Sequence, residues 1–287
     1  MNDLHGLVGL TEYPLARRGF VMTGLISGLT LATTRVEAQV IHTGTEGLVA
    51  GEVRIPVSDG HLPGYFARPD GAGPFPVVLV IEEIFGVHAY IKDVCRRLAK
   101  AGYLAVAPEL YARQGDLSQM TDASKIIREV ISKAPDATVM TDLDSTAAWA
   151  GANHGDLARL GVTGFCRGGR ATWLHAAHSP KLKAAVAWYG PEAGGTSPIQ
   201  PKTVLDLAAE VKCPLLGLYG GQDRGISQDD VQEAAKRARA AGATVEIVVF
   251  ADAGHGFHAD YRPSYHADHA ADGWQRMLAW FSRYGVA

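Results

Sequence analysis

The chain has 287 residues, 47% of them apolar and 20% charged, a globular composition that excludes a disordered or fibrous protein. Its formal net charge is −3 with acids and bases interspersed, which gives a nucleic acid no electrostatic hold. Three cysteines, Cys95, Cys166 and Cys213, without a C-x-x-C pair argue against both a disulfide framework and a zinc finger.

Residues 1–38 read as an export signal. Arg17 and Arg18 precede a moderately apolar run, 20–32, and Val36-Glu37-Ala38 offers small residues where a signal peptidase reads, with cleavage expected before Gln39. Ala16-Arg17-Arg18-Gly19-Phe20-Val21 resembles a twin-arginine signal, which implies a periplasmic protein; the alternative is a retained N-terminal helix and a cytoplasmic one. The run is too short to span a bilayer, and no other segment approaches ~20 uninterrupted apolar residues, so stable membrane insertion is not expected. Residues 39–287 then form a single domain.

Extended runs at 52–57 and 62–68, joined by Ser58-Asp59-Gly60-His61, predict a hairpin. The continuous apolar run 76–81 predicts a strand buried on both faces. A helix over 91–101 carries an apolar stripe of Ile91, Val94, Cys95, Leu98 and Ala99 and stops at Gly102. A strand at 103–107 follows, then helices around 123–133 and 139–153. Next come a strand at 160–163, a helix to about His178, and strands at 184–189 and 215–219. A helix over 228–241, a strand at 245–250 and a helix near 266–284 complete the chain. Strands alternating with helices indicate an α/β fold, a mostly parallel central sheet with helices on both faces. In such sheets, reactive groups gather just beyond the carboxyl ends of the strands.

Three residues stand at such ends. Cys166 is the centre of Gly164-Phe165-Cys166-Arg167-Gly168-Gly169, a nucleophile elbow whose glycines permit a tight strand-to-helix turn. Asp223 follows the strand at 215–219, and His255 follows the strand at 245–250. Taken singly they could be a core filler, a turn former and a loop residue. Together, in the order nucleophile, acid, base, they match the chain order of α/β-hydrolases. A thiol attacks a carbonyl well only as thiolate, so it needs a base and the base an orienting acceptor.

The chain resembles the dienelactone hydrolase (carboxymethylenebutenolidase) family from about residue 50 onward. The carriers are Glu82-Glu83-Ile84-Phe85-Gly86, Pro108-Glu109-Leu110-Tyr111-Ala112-Arg113, the cysteine elbow, Tyr219-Gly220-Gly221-Gln222-Asp223 and Gly254-His255-Gly256-Phe257. The resemblance implies an α/β-hydrolase fold and a lactone or ester hydrolase with a Cys166-His255-Asp223 triad and an acyl-enzyme, acting on a small molecule without cofactor or metal. It places Glu83 beside the thiol, where its carboxylate can hydrogen-bond the thiol at rest and accept its proton when substrate displaces it, and backbone N–H groups of Ile84 and Arg167 in the oxyanion hole. A solvated strand-end charge is expected of Glu82 instead. It implies that Arg113 holds a substrate carboxylate. The family's second arginine position is Ala259 here, which leaves Arg262, three residues on, as a substitute or the substrate as a less acidic ester. Tyr189, at a strand end, is a candidate pocket residue. Arg167 and Arg170 flank the elbow and are expected to pair with surface acids.

The rival reading is a periplasmic metal-binding or metal-dependent protein using His255, His258, Asp260, His266, Asp268 and His269, where His266 and His269 have i, i+3 spacing. The spacing matches no established zinc motif.

Overall fold

A computed structural model describes residues 40–287; the twin-arginine-like segment and its cleavage point lie outside the described residues. The strands are β1 (Leu48–Val57), β2 (Gly60–Pro69), β3 (Phe75–Ile81), β4 (Leu104–Pro108), β5 (Gly155–Phe165), β6 (Ala184–Trp188), β7 (Leu215–Gly220) and β8 (Val245–Phe250). They form one sheet in the order β1-β2-β4-β3-β5-β6-β7-β8. The pairs β1/β2 and β2/β4 are antiparallel, and the others are parallel. The apolar run of β3 sits at the middle of this sheet, and Val77 to Ile81 are fully buried, as a strand covered on both faces requires.

The helices are α1 (Ala89–Lys100), α2 (Ala123–Glu129), α3 (Asp136–Ala152), α4 (Arg167–His178), α5 (Val204–Leu207), α6 (Gln228–Ala240) and α7 (Ala267–Arg283). In α1 the predicted stripe of Ile91, Val94, Cys95 and Leu98 is buried. Two positions on β5 show how the layers divide. A side chain added at Gly161 would meet Phe281 and Val286 at the end of α7, whereas one added at Gly164 would meet Thr172 of α4. Residues an odd number apart on a strand face opposite ways, so α4 and α7 cover opposite faces. Among the described residues, no helix is long and apolar enough to cross a membrane.

Several boundaries differ from the sequence expectation. The expected strand at 160–163 is the inner part of β5, which starts at Gly155 and reaches β3 through a register shift between Pro76 and Val77. The helix expected over 123–133 is α2 followed by a separate 3₁₀ turn, Ile131–Lys133. Helix α3 begins earlier than expected because Pro135, with φ −65°, serves as its N-cap residue. Short helix α5 was not expected, although Thr203 and Asp206 form the reciprocal capping box that marks its start.

The register sets the site. Ile81 lies opposite Gly164, Phe165 opposite Trp188, and Gly220 opposite Phe250. The strands β3, β5, β6, β7 and β8 therefore end along one rim. Glu83, Cys166, Tyr189, Asp223 and His255 each follow one of those ends.

Candidate active site

Cys166 links β5 to α4 with φ 55° and ψ −115°, a conformation that costs a side-chain-bearing residue on the order of 1–3 kcal/mol. The surrounding backbone imposes it. A Cβ on Gly168 would lie 2.4 Å from the Ile81 carbonyl oxygen, and one on Gly164 would lie 2.3 Å from the Gly168 carbonyl oxygen. Only glycine lets the turn close this tightly against β3. The Cys166 N–H donates to the Trp188 carbonyl at 3.0 Å, which ties the elbow to β6. The thiol is 3% exposed and lines a cleft of about 340 Å³. It also sits at the amino end of α4, where unpaired N–H groups and the helix dipole favour an anion. Cys95 and Cys213 are buried elsewhere, and burial pushes both thiols up, Cys213 to about 12.

Asp223 stands in the turn after β7. One carboxylate oxygen accepts the Gly225 N–H at 2.9 Å, and the other is 2.6 Å from His255 Nδ1. That pairing keeps a proton on Nδ1 and leaves Nε2 as the ring nitrogen that exchanges the second one. Burial pulls the imidazole down, but the Asp223 carboxylate and the charge of the neighbouring Cys166 outweigh it and lift His255 to about 10. Tyr189, at φ 38°, is fully buried and meets the imidazole edge-on, with ring centroids 5.2 Å apart. It is a packing wall for His255 and does not line the cleft.

Glu83 is fully buried. Arg262 Nη2 donates to one of its oxygens at 2.8 Å, the Tyr261 hydroxyl donates to the other at 2.6 Å, and His88 Nε2 is 3.4 Å away. Burial pushes this carboxyl up, yet Arg262, His88 and Tyr261 outweigh burial and bring it to about 2. Glu83 is thus held as a carboxylate by its own ion pair. Glu82, expected to be solvated, is instead fully buried. Its carboxylate accepts the Leu110 N–H at 2.8 Å, and burial followed by the adjacent Glu109 pushes it well above the ordinary range. Glu109 in turn accepts the Val87 N–H at 3.0 Å. The two acids tie the segment bearing Ile84 to the segment after β4. Ile84 and Arg167 both line the cleft at Cys166, and Arg167, as the first residue of α4, has no intrahelical acceptor for its N–H.

Residues 62–285 match the model of the Dienelactone hydrolase family. The chain belongs to the dienelactone hydrolase family. It is 55% identical over 287 residues to a "Putative carboxymethylenebutenolidase" of Methylorubrum extorquens, covering 99% of this chain and 98% of that one. A protein of the same name from Escherichia coli is 52% identical over 260 residues, 90% of this chain and 96% of its own. The crystal structure of a "Putative Dienelactone Hydrolase" from Klebsiella pneumoniae superposes with a TM-score of 0.81 at 55% identity, covering 83% of this chain and 99% of that one.

Two roles carried over from the dienelactone hydrolase resemblance do not fit the geometry. Arg113 lies outside the cleft: it pairs with Asp59 at 2.6 and 2.7 Å and with Asp142 at 2.6 and 3.1 Å. Its fork turns four of its five N–H groups to those two acids and locks the β1–β2 turn to α3. Arg262 is fully buried behind Glu83 and does not line the cleft either. Its Nη2 is spent on Glu83, so it does not stand in at the cleft for the arginine missing at Ala259.

The histidine-rich segment does not act as a unit. His255 belongs to Asp223, His258 Nδ1 is 2.7 Å from the buried Tyr90 hydroxyl, and Asp260 pairs with Arg97. Asp268 is exposed in the first turn of α7. His266 caps α7, and His269 is 2.6 Å from Asp252, so Asp252, His266 and His269 come within 4.8 Å of one another. The far wall of the cleft, including Ile127, Ile131, Pro191, Ala193 and Thr196, was not singled out from the sequence. Its one local signal is the Thr203–Asp206 capping box.

Proposed function

We propose that this hydrolase cleaves a lactone or carboxylic ester through a Cys166-His255-Asp223 triad and an acyl-enzyme. The observation that carries the reading is the 2.6 Å contact between His255 and Asp223 behind a cysteine held in a strained elbow at the cleft. The thiol proton rests on His255 Nε2, and Cys166 Sγ attacks the carbonyl carbon as the thiolate. The resulting oxyanion meets the Ile84 and Arg167 N–H groups. As the C–O bond breaks, the imidazolium returns the proton to the leaving alkoxide. A water deprotonated by His255 then attacks the thioester, and the carboxylic acid leaves. Glu83 has one oxygen on Arg262 and the other on Tyr261, so it holds the segment that carries Ile84 and leaves the thiol proton to His255.

The names of the relatives agree with a lactone substrate. Mixing the protein with p-nitrophenyl acetate and quenching early is expected to give one acetyl group per chain by intact mass, mapped to the peptide that contains Cys166. Acetylation at another residue, or turnover without an acyl burst, refutes the covalent route.

We infer further that residues 1–38 direct export. In cells, the mature chain is expected in the periplasm with Gln39 at its N-terminus, and Arg17→Lys with Arg18→Lys is expected to retain the uncut chain in the cytoplasm. A full-length cytoplasmic wild type refutes the signal.

A further inference from the structure

We propose that Asp252, His266 and His269 form a surface site for a divalent transition-metal ion of the zinc class, which staples the loop carrying His255 to the start of α7. The site goes beyond the hydrolase reading, and neither depends on the other.

The three residues come from two parts of the fold. Asp252 lies in the loop after β8, three residues before His255, while His266 and His269 stand one turn apart at the amino end of α7. Their ligand atoms lie within 4.8 Å of one another, and among the described residues no other trio of His, Cys, Asp or Glu comes as close. The two imidazole rings stack, with centroids 3.8 Å apart and planes 21° from parallel. Both Nε2 atoms therefore turn to one carboxylate: His269 Nε2 is 2.6 Å from Asp252 Oδ1, and His266 Nε2 is 3.7 Å from Oδ2. Two imidazoles and a carboxylate are a donor set that suits borderline divalent ions, zinc above all, with water completing the shell.

The protons balance. In the hydrogen-bonded form, His269 Nε2–H donates to Asp252. An ion takes the Nε2 lone pairs, and each neutral ring then carries its one proton on Nδ1. For His266 this gives up the bond its Nδ1 accepts from the His269 N–H, which at 3.4 Å is long. Tetrahedral bonds of about 2.0–2.1 Å set ligand atoms roughly 3.4 Å apart, so the trio draws in by about 1.4 Å at most. Asp252, 71% exposed, is free to make that movement. None of the three residues lines the cleft, so the ion acts on the frame and not on substrate. The Ala253 carbonyl accepts the Gln222 N–H at 2.8 Å, next to Asp223, and the Phe257 carbonyl accepts the His266 N–H at 2.9 Å. A metal at Asp252 adds a third tie to the loop that holds His255.

The test titrates Zn²⁺ into untagged Cys166→Ala protein by isothermal titration calorimetry, a background in which no thiolate at the elbow competes for the ion. One Zn²⁺ is expected to bind per chain. Zn²⁺ at about 100 times its Kd is expected to raise the melting temperature by about 5–10 °C. Asp252→Asn, His266→Asn and His269→Asn are each expected to weaken binding at least about tenfold and to remove most of that rise. Asparagine is itself a good N-cap, so His266→Asn preserves the start of α7. Asp144→Asn, at a second grouping where His175 and His178 lie 3.4 and 2.8 Å from the acid, is expected to bind Zn²⁺ as its parent does. Absence of binding, unchanged affinity in all three site variants, or loss in Asp144→Asn instead overturns the site and leaves a hydrogen-bonded cluster only. The acyl burst at Cys166 is measured separately on the wild type, so failure of one reading is distinguishable from failure of the other.

Discussion

Cys166→Ala is expected to lower kcat/KM for p-nitrophenyl acetate by at least about 10³-fold, the scale seen when a nucleophile is removed from a preassembled triad. The loss should fall on kcat, because the cleft walls and the N–H groups of Ile84 and Arg167 do not depend on the sulfur. The fold should survive. The strain at φ 55° belongs to the turn, which alanine enters with the same Cβ, and the side chain lost is one sulfur atom. The midpoint of thermal unfolding is therefore expected to move by no more than about 4 °C. A variant that keeps its melting temperature and near-normal turnover would remove Cys166 from the mechanism.

Arg262→Met is expected to be the most destabilising single change near the site. It leaves Glu83, fully buried, without its cation, and breaking such a pair from one side costs roughly 3–5 kcal/mol. At this chain length that corresponds to a fall in melting temperature of roughly 6–20 °C. The sign with pH follows from Glu83, whose carboxyl is held down at about 2 against an ordinary 4.5. Its contribution is fully present above pH 4.5 and is lost as the pH falls toward 2. The gap between wild type and Arg262→Met should thus be wide at pH 7 and narrow in acid. The double variant Glu83→Gln, Arg262→Met should recover part of the stability at pH 7, because it removes the orphaned charge. Differential scanning calorimetry across pH decides it; a gap that does not change with pH, or a double variant no more stable than the single, refutes the ion-pair account.

The alternation of strands and helices was legible along the chain because each buried element writes its own period. The apolar run of β3 and the stripe of α1 are local statements about what each element covers. The elbow was legible for a similar reason: Gly164 and Gly168 are required by backbone atoms only a few ångströms away. Boundaries such as that of β5, which reaches back to Gly155, were less legible, because a strand end depends on a neighbour's ladder as well as on its own residues.

Charge pairing was the least legible feature. Arg113 and Arg262 look alike as candidate anion binders, yet one is spent on Asp59 and Asp142 and the other on Glu83. Glu82 and Glu83 are adjacent, but one points beneath the strand to Glu109 and Leu110 and the other meets Arg262. These assignments depend on partners distant in sequence, Arg262 lying 179 residues from Glu83. By itself, the sequence determined the layered α/β architecture, the placing of Cys166, Asp223 and His255 just beyond three strand ends, and the tight turn at Cys166, all encoded in periodicity and in residues a few positions apart. The tertiary structure alone decided which acids each arginine meets, because an arginine's availability depends on the acids the fold brings to it.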